Sequence, residues 1–130
     1  MCFYIHQDHI DAKIAENDIT CYKILTRKKN KDLVSPYIGS EVILGEKVEQ
    51  KLERYGFSID IGIHSCSTFL SAVKRRFEMW AGTHCCEPGK KIIIKCIIPK
   101  GTKYYYNPED KEYVSEAMIY GNKRYFLIRG

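Results

Sequence analysis

The sequence predicts an α+β domain: a mainly antiparallel sheet of six or seven strands, one amphipathic helix, and possible room for a second helix. Three observations carry this. The β-branched and apolar runs are short and are broken by Gly, Pro and Asn, as strands joined by tight turns are. One segment, beginning near Phe69, changes to a helical period. The 130 residues fit one domain, residues 1–130, long enough to bury a core without disulfide staples.

Residues 19–26 (ITCYKILT) form the first clear strand, closed by a basic loop from Arg27 to Lys31. A turn at residues 35–39 leads to a short strand at 41–44. Val48, Leu52 and Tyr55 recur at i, i+4 and i+7, which allows a second, short helix over 47–55 that Gly56 ends. Residues 57–63 alternate apolar with small or polar residues, the period of a half-buried strand.

The main helix follows. Ser65 or Ser67 can cap it, and Phe69, Val73, Phe77 and Trp80 line one face, with Lys74, Arg75 and Arg76 opposite and Gly82 at the end. Residues 91–98 are apolar on both faces and read as a central strand. Strands at 102–107, 113–120 and 124–129 complete the sheet, the last two joined by a Gly121-Asn122 hairpin turn.

Composition excludes several classes. A hydrophobic fraction of 45% with 28% charged residues is not that of a disordered chain. The longest apolar stretch, residues 92–99, is interrupted by Lys95 and falls short of the ~20 residues that cross a bilayer, so no membrane partner is expected. The first eleven residues carry Asp8, His6 and His9 instead of an apolar h-region, so they do not read as a signal peptide. A cytoplasmic location, with reduced thiols at the six cysteines, is the expectation. Net charge +5 neither requires nor forbids a polyanionic partner.

Motifs in the second half carry a resemblance. Ile97-Ile98-Pro99-Lys100-Gly101-Thr102 leads through Tyr104-Tyr105-Tyr106 to Tyr113-Val114-Ser115-Glu116-Ala117-Met118. This resembles the C-terminal half of the ADP-ribosyltransferase fold, where a strand ending in Pro-x-Gly precedes a strand bearing Ser-Glu-x-Glu. His64-Ser65-Cys66-Ser67-Thr68 before a helix is similar to that family's Ser-Thr-Ser segment, and Tyr22-Lys23 stands where the family places an NAD-gripping cation. The resemblance implies NAD or an ADP-ribose-like nucleotide as ligand, with Glu116 as the catalytic candidate. It implies Lys23 on phosphate, Ser65 and Ser67 on ribose or amide, and Tyr104 or Tyr106 stacked on a ring.

One departure weighs against turnover. Strand alternation would set Met118 on the face of Glu116, where the family's second glutamate belongs, and a thioether cannot stabilise an oxocarbenium-like charge. The expected function is therefore a non-catalytic domain that binds a nucleotide or ADP-ribose-like ligand. An active mono-ADP-ribosyltransferase using NAD and a module binding a host protein or nucleic acid are the alternatives. A looser similarity, through Tyr22-Lys23, Tyr37-Ile38-Gly39, Gly45 and Gly62-Ile63-His64-Ser65, is to small phage and mobile-element proteins; it implies a phage or mobile-element accessory protein but no activity, and His64, beside Ser65, is a further ligand-binding candidate.

Other chemistry is weaker. Cys2 with His6 and His9, and His84-Cys85-Cys86, lack the ligand spacing of a zinc site, so no metal is expected. His64 and Cys66 would share a strand face, the arrangement of a nucleophile pair, but no carboxylate is placed to orient the imidazole. Ten tyrosines and two basic clusters could serve nucleic acid, although the rings do not interleave with the cations.

Overall fold

The two longest apolar runs pair with each other. β3 (Ile19–Arg27) and β9 (Lys90–Ile98) run antiparallel over nine registered positions, from Ile19 opposite Ile98 to Arg27 opposite Lys90. The computed structural model describes residues 3–27, 33–34, 42–82 and 90–125. The remaining strands are β1 (Phe3–Tyr4), β2 (Lys13–Ile14), β4 (Leu33–Val34), β5 (Lys47–Glu49), β6 (Glu53–Tyr55), β7 (Ser58–Ile61) and β8 (Ile63–Cys66), then β10 (Lys103–Asn107), β11 (Glu112–Ser115) and β12 (Ala117–Tyr125). One helix, α1 (Phe69–Gly82), lies between β8 and β9.

The strands form two sheets. The large one has the order β2-β10-β11-β8-β3-β9-β12-β5, with β4 also on β3; the small one is β1-β7-β6. Every registered pairing is antiparallel. A constraint on shape follows from the order. β11 pairs with β8 and β12 pairs with β9, yet only Glu116 separates β11 from β12. One run of chain therefore brackets β8, β3 and β9 from both sides, and the sheet must curl until its ends meet.

Inside the curl lies the main core, with Cys21, Leu25, Ile63, Ile92, Ile94, Cys96, Ile98, Met118 and Tyr120, covered by Leu33 and Val42. The outer face carries two layers. α1 sets Phe69, Ala72 and Val73 on Tyr22, Ile24, Cys66 and Ile93. The small sheet, with Phe3, Ile5 and Ile59, covers Tyr105 and Val114.

This architecture corrects the expected fold class. Among the described residues the chain is mostly antiparallel β with one helix, not an α+β domain of six or seven strands with a possible second helix. Residues 47–55 are β5 and β6 because their apolar residues serve separate partners. Val48 stands opposite Met118 on β12, Leu52 packs beside Phe3 and Ile59, and Tyr55 is exposed opposite Ser58. No common apolar face remains for a helix, and so short a helix is marginal without one. Thr68, rather than Ser65 or Ser67, caps α1, its Oγ1 accepting from the Ser71 amide at 3.0 Å.

Two turn and strand expectations also change. Residues 42–44 are not a strand; Val42 N–H donates to Leu33 O instead. Gly121 and Asn122 lie within β12, where the register with β9 shifts between Tyr120 and Arg124. A Cβ on Gly121 would meet the Lys95 carbonyl oxygen, so this glycine permits close backbone approach at an irregular pairing, not a hairpin turn. The expected loop at 28–31, the turn at 35–39, the end of the last strand, and the side chains of Phe77 and Trp80 lie outside the described residues.

Core substitutions should rank by position in this arrangement. Ile94→Ala, in the middle of β9, is expected to cost ~2–5 kcal/mol in urea denaturation. Gly121→Ala should cost ~1–3 kcal/mol through overpacking against Lys95. Leu70→Ala, at a side chain 78% exposed, should stay within ~0.5 kcal/mol of the unsubstituted protein. A Leu70 loss equal to that of Ile94 would contradict the placement of the core.

Candidate functional site

Four neighbouring strands bring several of the expected ligand residues onto one face of the sheet. Tyr22 opposite Cys66 sets Lys23 of β3 beside Ser65 of β8. Ser65 stands opposite Tyr113 of β11, and Tyr113 opposite Tyr106 of β10. Tyr104, two residues from Tyr106, follows on the same face. Lys23, Ser65, Tyr113, Tyr106 and Tyr104 thus share one face, continuous with the inside of the curl. The tyrosines touch: Tyr106 and Tyr113 rings are 4.9 Å apart, and Tyr104 meets Tyr113 edge-on at 5.8 Å. His9 adds an edge contact to Tyr106 at 5.9 Å.

The charge balance of this surface is uneven. Lys23 Nζ donates to His64 O at 2.7 Å, and among the described residues no carboxylate lies within ion-pair distance of it. Burial lowers the Lys23 pKa. The neighbouring thiols do not neutralise it, because burial pushes Cys21 up to about 12 and Cys96 up to about 11. Both stay protonated at neutral pH. Ser65 Oγ is buried without a well-formed hydrogen bond, while the nearby Cys21 thiol, eased toward ionisation by Ser65, is only a weak partner. Burial, then Tyr106 and Tyr104, raise Tyr113, so that the phenol remains a neutral donor. A lysine whose charged form burial disfavours, a buried hydroxyl and a row of phenol rings thus lie side by side on one face of the sheet.

The other expected residues lie elsewhere. His64 alternates with Ser65 and so faces outward, opposite Val114. Cys66 shares that outer face but packs against Ala72 and Ile93, under α1. Ser67 lies past the end of β8, its amide donating to Lys111 O at 2.8 Å. Arg75, on the basic side of α1, is ion-paired with the buried Glu112 and is not free for nucleic acid. Among the described residues no group of three His, Cys, Asp or Glu side chains is placed to hold a metal; Cys2, His84, Cys85 and Cys86 lie outside them.

Glu116 is the largest departure. It belongs to neither β11 nor β12, and the alternation changes phase across it: Tyr113 faces inward before it, Met118 and Tyr120 after it. Glu116 and Met118 consequently do not share a face. Glu116 N–H donates to Lys103 O at 3.0 Å, and its Oε2 accepts from Leu52 N–H at 3.0 Å, beside the core of the small sheet. The side chain is directed away from Lys23 and Ser65. Tyr113 was not singled out in the sequence, although pairing residues 102–107 with the next strand across the Pro108–Lys111 turn would have set it opposite Tyr106.

His64 gives the outer face a pH signature. Burial, reinforced by the Lys23 charge, lowers its pKa from 6.5 to about 4. The unfolded chain therefore binds this proton first, and the stability held above the unfolded pKa is lost as pH falls from about 6.5 toward 4. Urea denaturation between those limits should lose on the order of 2–3 kcal/mol through this group. His64→Gln should flatten the profile by that amount, and an unaltered slope would place the imidazole in solvent.

Comparison with protein-family models, with curated proteins and with solved structures finds no match to this chain.

Proposed function

We propose that this chain is a binding domain for a nucleotide or ADP-ribose-like ligand, and that it does not catalyse ADP-ribosyl transfer. The observation that carries the reading is Lys23, a part-buried amine with one carbonyl partner and no counter-charge among the described residues. Burial drives such a group toward its neutral form, and a phosphate beside it would favour the protonated, hydrogen-bonding one. Ser65 supplies a hydroxyl beside it, and Tyr113, Tyr106 and Tyr104 offer ring faces along the same surface. Phosphate, sugar and base would run from β3 toward β10.

The geometry of Glu116 supports binding over turnover. A carboxylate acting on a glycosidic bond must lie against the reacting carbon, on the side where the ligand sits. Glu116 holds the Leu52 amide on the opposite side of the sheet. NAD could still be a ligand of this surface, but as a bound molecule and not a consumed one.

Thermal melting with ADP-ribose, NAD and cyclic nucleotides tests the proposal. At a hundredfold excess over its dissociation constant, a ligand of the folded state adds ~2.7 kcal/mol, which a melting curve resolves. Lys23→Met, which keeps the aliphatic stem, should abolish the shift, and Tyr106→Ala should reduce it by the ~1–3 kcal/mol of a stacked ring. A shift that survives Lys23→Met, or labelled-NAD turnover that vanishes in Glu116→Ala, would overturn the reading.

A further inference from the structure

A second constellation lies on the outer face, where the chain changes partners. Lys47, Lys51, Lys100 and Lys103 line an open cavity of about 520 Å³, together with Glu49 and Glu116. These lysines come from two stretches, residues 47–51 and 100–103, and backbone bonds tie both to Glu116. Gln50 N–H donates to Glu116 O at 2.8 Å, Glu116 N–H to Lys103 O, and Gly101 N–H to Ala15 O at 2.8 Å. The Lys100 amide is fixed separately by Asp18 Oδ1 at 2.9 Å.

We infer that this cavity is a binding site for a phosphorylated polyhydroxy compound of sugar-phosphate size. Lys47 is paired with Glu49 at 3.2 Å, which leaves Lys51, Lys100 and Lys103 without a carboxylate at ion-pair distance among the described residues. Three ammonium groups around one cavity repel each other, and a dianionic phosphate relieves that repulsion. Glu116 commits Oε2 to the Leu52 amide, and Oε1 is left to accept a ligand hydroxyl. The volume falls within the ~300–1,000 Å³ of small-molecule sites. A nucleic-acid strand fits less well, because two carboxylates line the same cavity and would face its phosphates. The site stands apart from Lys23, on the opposite side of the sheet, and does not depend on the nucleotide reading.

Isothermal titration with ribose 5-phosphate, inorganic phosphate, ribose and a single-stranded oligothymidylate tests the assignment. Ribose 5-phosphate should bind more tightly than phosphate, ribose should not bind, and affinity should fall as salt rises. Lys100→Ala with Lys103→Ala should lower affinity by about tenfold or more, with folding checked by circular dichroism. Glu116→Gln should weaken ribose 5-phosphate relative to phosphate, while Leu70→Ala, at an exposed side chain of α1, should leave both unchanged. Absence of binding at millimolar concentration, equal affinity for the two phosphates, tighter binding of the oligonucleotide, or full affinity retained in the Lys100→Ala, Lys103→Ala variant would each overturn it.

Discussion

The structure depends on one place where a strand changes neighbours. At Glu116 the chain leaves the β8 side of the sheet and enters the β9 side, and the two pairings can coexist only if β8, β3 and β9 curl between them. The curl gives the sheet an inside, which the apolar residues of β3, β9 and β12 fill. It also gives an outside, which needs cover from α1 and from the small sheet. The extra residue resets the side-chain alternation, so Tyr113 and Met118 both face inward although they are five positions apart. An irregularity of this kind re-aims side chains more economically than a rebuilt loop would.

The same reset separates two kinds of chemistry. On the inner side, Lys23 sits among groups that cannot take its charge: thiols held neutral by burial, a serine hydroxyl, phenols and a backbone carbonyl. On the outer side, Glu116 lies among lysines and is pinned by a backbone amide. A cation and a carboxylate that would have cooperated in one cleft are divided by the thickness of the sheet. On the proposed reading, each side holds an anion and neither breaks a bond.

Much of this was legible in the sequence, and the failures have identifiable causes. Residues 19–26 and 91–98 are long and β-branched enough for strand to be the only stable reading, and α1 declares itself by its period. Lys23, Ser65, Tyr104 and Tyr106 came from the resemblance to the ADP-ribosyltransferase fold, and the register places them on one face of the sheet. Residues 47–55 could not be read, because Val48, Leu52 and Tyr55 fit a helical spacing by coincidence and go to three environments in space. β1 and β2 are two residues each, too short to carry a period. Gly121-Asn122 has the composition of a turn but occupies a close crossing with Lys95. Glu116 was misplaced because alternation was carried through a position where the strand is broken, and only partner choice, a non-local fact, shows the break.

The most direct test is a chemical-shift map. ADP-ribose titrated into isotope-labelled protein should perturb the amides of Lys23, Ser65, Tyr113 and Tyr106 together, along the path of β3, β8, β11 and β10, in a common binding isotherm. Leu52 and Glu116, across the sheet, should not follow that isotherm. Perturbations centred on Leu52 and Glu116 with β3 and β8 silent, or no perturbation at any of these positions at millimolar ligand, would contradict the account.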